Sequence, residues 1–390
     1  MLFVLPQLTR AGEGEGTIRV ATYNTSLFRD SDGQLIRDLE SGDNEQAFKI
    51  AEVIQRVRPD VLLLNEFDFD EHGRAAELFR TKYLAVAQNG CEPITFESYY
   101  TGPVNTGVPS GRDFGHNGKT TDPDDSFGFG RHPGQYGMLV LSKFPIDRKR
   151  VRSFQNFLWR DMPGALLPTD PKTGKPWYSD EDLAVFRLSS KSMWDLPISV
   201  PARGKSKAFT LHLLPSHPTP PVFDGPEDRN GKRNHDEIRL LADYINEKKG
   251  DYLKDDVGKT GGLAADAQFV IVGDLNCDPV DGSGLRGTMQ QLLEHPRVNA
   301  SFTPQSEGGP LTVAKFPDQF TKNHGEPAHV TSNFTGEGHG CLRIDYALPS
   351  RGLEVVNAGI FWPKPGDPGA DAITATDHRS VWIDVKVKEN

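Results

Sequence analysis

The chain has 390 residues, 36% hydrophobic and 25% charged, with Lys+Arg 44 against Asp+Glu 54 for a net charge of −10. It is long enough for one large α/β domain or two ordinary ones, and its composition excludes a disordered chain. The acidic balance disfavours nonspecific grip on nucleic acid, which works by neutralising phosphates, and no apolar run approaches the length of a membrane span.

The first residues, MLFVLPQLTRAGEGEG, hold a short apolar run before a Gly/Glu segment. We expect residues 1–17 to be the trimmed end of a secretory signal, cleaved near TRA, although a basic n-region is missing. The expectation is therefore a secreted or periplasmic protein with one domain over residues 18–390.

IRVATY (18–23) reads as a strand. In NEQAFKIAEVIQRVRPD, Phe48, Ala51, Ile54 and Val57 recur every three residues, predicting a helix that Pro59 stops. DVLLLNE (60–66) is the next strand. Residues 89–135 are rich in Gly, Pro, Ser and Asp with little periodicity, as are 153–205. Long irregular segments in a compact domain are usually functional loops. GMLVLS (137–142) and AFTLHLL (208–214) read as strands. NHDEIRLLADYINEKK reads as a helix with Ile238, Leu241 and Ile245 on one face and Asp236 and Glu237 in its first turn. FVIVGD (269–274), RIDYALP (343–349) and SVWIDVKV (380–387) complete the strands. Strands alternating with helices give an α/β class.

Within the first loop, DFGHNGKTTDPDD (113–125) offers Asp113, Asn117 and Asp124, with Gly118 where a calcium loop turns sharply. Gly115 stands where an acid is expected, so a plain Asx/Gly loop competes with a structural calcium site. The three cysteines have no CxxC spacing. Cys277 reads as a small core residue, and Cys91 and Cys341 are the one pair left open to bridging.

In FVIVGDLNCDP (269–279), Phe269 to Val272 read as a strand buried on both faces, broken at Gly273. Asp274 and Asn276 follow one residue apart, so in an extended chain they project to the same side. Asp and Asn also build ordinary turns. Recurrence favours a site. Other strand ends supply Asn24 (ATYN), Glu66 (LLLNEFD), His217 (LLPSHPTPP), Asp345 (RIDY), and Asp377 and His378 (ATDHRS). Singly, Glu66 reads as a surface acid, His217 as a loop histidine, Asp345 as an ion-pair partner and Asp377–His378 as a solvated turn. Together they place metal-binding and proton-moving groups where open α/β sheets build sites. Their oxygen donors suit Mg²⁺, Mn²⁺ or Ca²⁺ better than zinc.

RVATYN, PDVLLLNE, GMLVLSKFPI, SHPTPP, VIVGDLNCDP, RIDYALPS and TDHRSVWIDV, in that order over residues 18–387, resemble the endonuclease/exonuclease/phosphatase superfamily. That superfamily includes DNase I-like nucleases, sphingomyelinases and inositol polyphosphate 5-phosphatases. The resemblance implies a four-layer α/β sandwich, two mixed β-sheets packed face to face with helices outside, and metal-dependent phosphoester hydrolysis. It implies metal ligands at Asn24, Glu66 and Asp377, with Asp274 either orienting the attacking water or holding a second metal. Asn276 would hold a phosphoryl oxygen, His378 would contact the scissile phosphate and Asp345 would orient it, and His217 would be the second histidine. Thr25-Ser26 departs from the further Asp or Asn of many nucleases. The segment 216–237 resembles an exported bacterial branch, whose substrate does not carry over. Arg229 and Arg233 there, and Lys191 in RLSSKS, are candidates for the substrate phosphate. Nearby Asp224, Glu227, Asp228 and Asp236 offer the arginines ordinary ion pairs instead.

The expected partner is a small-molecule or lipid phosphoester. A DNase I-like endonuclease acting on nucleic acid is the alternative, and a catalytically inactive binding module is a second.

Overall fold

The computed structural model describes residues 16–204 and 206–388. The expected signal remnant lies outside them except for Gly16 and Thr17. In chain order the elements are β1 (Ile18–Leu27), α1 (Gln34–Glu40), α2 (Glu45–Val57), β2 (Val61–Phe67), α3 (Arg74–Leu78), β3 (Ser98–Thr101), β4 (Met138–Ser142), β5 (Arg152–Ser153), α4 (Asp180–Leu183), β6 (Trp194–Val200), β7 (Phe209–Pro215), α5 (Arg229–Tyr244), β8 (Gln268–Asp274), α6 (Gln290–Leu293), α7 (Gly308–Lys315), β9 (Asp345–Pro349), β10 (Leu353–Ile360) and β11 (Val381–Val387).

The strands form a six-stranded sheet, ordered β10-β11-β1-β2-β4-β3, and a five-stranded sheet, ordered β5-β6-β7-β8-β9. Each is mixed, since β1–β2 and β7–β8 are parallel and their other neighbours antiparallel. Alternation along β8 explains the packing. Val270 and Val272 point into a core shared with β1, β2 and α2, whereas Phe269 and Ile271 join a second core under α5 and α6. Such a strand needs apolar residues at every position, because both of its faces lose water. Helix, sheet, sheet, helix is the four-layer sandwich that the resemblance implied.

Several local readings change. Gly273 does not break its strand. It lies within β8 at φ 152°, and a Cβ there would sit 1.9 Å from the Ser216 carbonyl oxygen, so only glycine lets β8 pass so close to the chain leaving β7. α5 begins at Arg229, five residues before the Asn234 from which the sequence pattern was read with Asp236 and Glu237 in the first turn. Its N-terminal half carries polar residues on a buried face, so apolar periodicity alone misses it. The first irregular segment contains β3 and the second contains α4 and β6. β10 was not foreseen either, being an edge strand with a bulge between Val355 and Asn357. Finally, all three cysteines are free thiols, so no Cys91–Cys341 bridge forms; Cys277 is buried in the second core as expected.

Candidate active site

Where β1 and β2 of one sheet meet β8 and β9 of the other, the strand ends bring their polar residues together. Asn24 at the end of β1 donates from Nδ2 to Asp274 Oδ2 at 3.0 Å, and its Oδ1 accepts from Ser26 N–H. His217 Nε2 lies 3.4 Å from the same Asp274 oxygen. Asp274 Oδ1 accepts from Asn276 N–H at 2.9 Å. His378 Nδ1 bonds Asp345 Oδ2 at 2.9 Å, while its Nε2 faces Asn24, Asp274 and Asp377 at 3.5, 3.7 and 3.9 Å. The ring edge of Phe334 closes one side of His378.

Three residues in or next to these strand-end motifs hold left-handed backbone without being glycine: Ser26 (φ 48°), Glu66 (φ 56°) and Asn276 (φ 52°). Such conformations cost on the order of 1–3 kcal/mol each and persist where surrounding bonds over-determine them. For Asn276 those bonds are its N–H to Asp274 and its Nδ2 to the Pro218 carbonyl at 3.1 Å. For Glu66 the support includes its neighbour Asn65, whose Oδ1 accepts from Asp274 N–H at 3.1 Å and so ties β2 to β8. Asn65 went unnoticed in the sequence. The signal was an amide inside the apolar run DVLLLNE, where a buried polar group requires a partner.

The electrostatics divide the site into unlike charges. Burial works against the Asp274 carboxylate, but His378, His217 and Asn24 outweigh it and hold its carboxyl well below the usual range. Burial works against the His378 imidazolium too, yet Asp345, Asp274 and Asp377 overcome it and hold the ring protonated. His217 goes the other way: burial and the Lys191 ammonium push it down to about 4, so it is neutral, and its buried Nδ1 has no partner among the described residues. Burial pushes Glu66 up to about 7, the opposing pull coming from His378, Asn24 and Lys191.

Lys191 is brought to this place. It is 6% exposed, and its ammonium has no hydrogen bond or ion pair among the described residues. Burial lowers its pKa, and the opposing charges are Glu237, Glu66 and Asp274. Arg229 and Arg233 serve elsewhere. Arg233 is buried, and its guanidinium donates to the carbonyls of Leu188, Phe127 and Arg187 at 2.8, 2.5 and 3.0 Å, which makes it a strut rather than a phosphate ligand. Arg229 is paired with Glu227 and lies over the Trp177 ring. In the loop considered for calcium, both Asp113 oxygens accept backbone N–H groups, from Asn117 and Gly118, and the Asn117 amide donates to Asp122. Asp124 makes no hydrogen bond to that pair, and the bonding is that of an Asx turn.

A divalent cation fits the chemistry of the donor set. Asp274, Asp345 and His378 place ligand atoms within 4.8 Å of one another, but Asp345 Oδ2 is bonded to His378 Nδ1, and Asp274 Oδ2 is already taken by Asn24 and His217. Glu66, by contrast, is a partly buried carboxylate with no ion-pair partner among the described residues, flanked by the amide of Asn24. Asp377 has 43% of its side chain exposed at the mouth, and Asp345 Oδ1 is buried with no hydrogen-bond partner among the described residues. Hard oxygen donors in this state suit a hard cation.

A sequence model described as Endonuclease/Exonuclease/phosphatase family matches residues 21–378. No curated protein matches. Among solved structures, an endonuclease/exonuclease/phosphatase from Beutenbergia cavernae DSM 12333 is similar at 17% identity and TM-score 0.49, covering 95% of this chain and 72% of that one. Sphingomyelinase C from Streptomyces griseocarneus is similar at 17% identity and TM-score 0.47, covering 94% and 99%. Truncated Caenorhabditis elegans TDP2 is similar at 13% identity and TM-score 0.42, covering 95% and 98%.

Proposed function

The chain belongs to the endonuclease/exonuclease/phosphatase family, and from that premise we propose that it is a divalent-metal-dependent phosphoesterase hydrolysing small or lipid-linked phosphoesters. The observation that carries this reading is the pairing, in one site, of a carboxylate held anionic (Asp274) with a histidine held cationic by a buried acid (His378–Asp345).

Glu66, Asn24 and Asp377 would hold the metal, with Mg²⁺ the first candidate and Mn²⁺ or Ca²⁺ the others. When bound, such an ion supplies positive charge that polarises the phosphoryl group and eases departure of the leaving oxygen. The protein's own groups do the rest. Asp274 accepts a hydrogen bond from the attacking water and then its proton, having been kept ionised for that task. Neutral His217 and Asn24 hold the Asp274 carboxylate in place. The His378 Nε2–H, oriented through Nδ1 by Asp345, donates to a phosphoryl oxygen and offsets charge that grows in the transition state. The second N–H of Asn276 and the Lys191 ammonium are free to take the remaining oxygens.

The net charge of −10 and the use of Arg229 and Arg233 within the protein support small esters over nucleic acid, because a nuclease holds several backbone phosphates at once. The test is a panel of nitrophenyl esters, sphingomyelin, inositol phosphates, plasmid DNA and RNA, with and without chelator at about 0.15 M salt. Turnover of small or lipid esters that stops with chelator, with weak DNA cleavage that fades as salt rises, is expected. Efficient DNA or RNA degradation without small-ester turnover would replace this reading with a nuclease.

A further inference from the structure

Aromatic rings stand at the sheet end that carries Glu66. β1 and β2 end where β4 begins: Leu27 is in register with Phe67, Asn65 with Met138, and Phe67 N–H donates to the Gly137 carbonyl at 3.1 Å. Phe28 and Tyr136 therefore flank the Glu66 backbone from its two neighbouring strands. Their ring centroids are 4.4 Å apart, and Phe129 lies 6.5 Å from Tyr136. Phe129 is 50% exposed, while Phe28 and Tyr136 are half-buried.

This arrangement is built, not left over. Tyr136 is held at φ 57°, a strained conformation for so bulky a residue. Its N–H donates to Asp68 Oδ1 at 3.2 Å, and its neighbours Gly134 and Gly137 run so close to Phe69 and Phe67 that a Cβ would lie 2.6 and 2.7 Å from their carbonyl oxygens. Phe129 is fixed from the opposite side. Gly128 passes the Ser190 carbonyl with room for no Cβ (2.0 Å), and Asn105 links Gly128 to Lys191 through its backbone. The rings thus extend from the strand end of Glu66 towards the chain that bears Lys191. Apart from the phenol hydroxyl, which stays protonated because burial and the Glu66 charge push it up to about 12, their faces are apolar.

We propose that Phe28, Tyr136 and Phe129 form a specificity subsite that takes the planar aromatic ring of a phosphoester in preference to an alkyl group. This rests on the phosphoesterase reading above. Ring faces in offset or tilted contact gain about 0.5–1.5 kcal/mol beyond area burial, whereas an alkyl group gains only the burial.

The test compares phenylphosphonate with cyclohexylphosphonate, non-hydrolysable anions of similar size that differ in planarity, by calorimetry on the full chain with Mg²⁺ present. Phenylphosphonate is expected to bind about three- to tenfold more tightly. Phe129→Ala should bring that ratio to within about twofold of one, and Phe129→Trp should keep it. Equal affinities for wild type, no binding of either anion, or an unchanged ratio in a folded Phe129→Ala variant would overturn the subsite. A ring preference that persists where no ester is turned over would support the subsite and count against the phosphoesterase reading alone.

Discussion

Among the described residues, Asp345 makes its one hydrogen bond to a site side chain through His378, its Oδ2 bonding the ring at 2.9 Å. An acid that acts solely by orienting and charging an imidazole has no function once the imidazole is gone. His378→Ala and Asp345→Ala should each lower kcat on the order of 10²-fold or more, and the double variant should be no worse than His378→Ala. Steady-state kinetics of the three variants decides this; multiplicative losses would show that Asp345 has a separate role, such as metal binding. Lys191 and Arg233 make a second contrast. The Lys191 ammonium has no partner among the described residues, so Lys191→Ala should lower kcat/KM roughly ten- to hundredfold through the lost charge while leaving thermal stability unchanged. Arg233→Ala removes the donor from three carbonyls, one buried and two part-buried, and should instead lower Tm. A stability loss in the lysine variant equal to that of the arginine variant would make Lys191 another strut.

Among the elements, α5 fixes several site loops from behind. Glu237 accepts from Ser190 N–H beside Lys191 and from Thr219 N–H beyond His217, both at 2.6 Å. Asn234 donates to the carbonyls of Thr219 and Leu275, the latter next to Asn276. Asp236 accepts from Trp159 Nε1 and Leu166 N–H in the second long loop, each at 2.7 Å. Removing one such carboxylate leaves two buried N–H groups unpaired, so Glu237→Ala should cost about 2–4 kcal/mol in denaturant titrations and also depress kcat. Near-wild-type stability would mean that water replaces the carboxylate. β8 offers an independent check: Gly273→Ala should destabilise strongly or prevent folding, because its Cβ would meet the Ser216 carbonyl. Full stability of that variant, by the same titration, would show that the two chains can separate at no cost.

These elements also show what was legible beforehand. β1, β2, β4, β7, β8, β9 and β11 are seen as runs because burial on one or both faces demands apolar residues. β3, β5, β6 and β10 are short, lie at or near sheet edges, or carry polar, Pro or Gly residues, so nothing in composition marks them. The first half of α5 is hidden for a related reason. Its buried face holds Arg233, Asn234, Asp236 and Glu237, each satisfied by chain distant in sequence. Strand-end residues such as Glu66, Asp274 and His378 could be read in advance because their chemistry recurs at successive strand ends. The use of Arg229 and Arg233, the position of Tyr136 beside Glu66 and the role of Asn65 depend on long-range contacts that local pattern does not encode.

At the scale of the molecule, two mixed sheets bring residues from Asn24 to His378, nearly the whole chain, to one edge. There Asp274, Asp345 and Glu66 stand against His378 and Lys191. The central claim is that Glu66 anchors a divalent cation at this edge and that hydrolysis depends on it. The measurement is Mg²⁺ calorimetry on metal-stripped wild type and Glu66→Gln, paired with turnover of a nitrophenyl ester before and after Mg²⁺ is restored. The account predicts that wild type binds the ion and regains turnover, whereas folded Glu66→Gln binds it at least tenfold more weakly and stays inactive at Mg²⁺ levels that saturate wild type. Wild-type turnover that survives chelation, or a Glu66→Gln variant with near-normal Mg²⁺ affinity and rate, would contradict it.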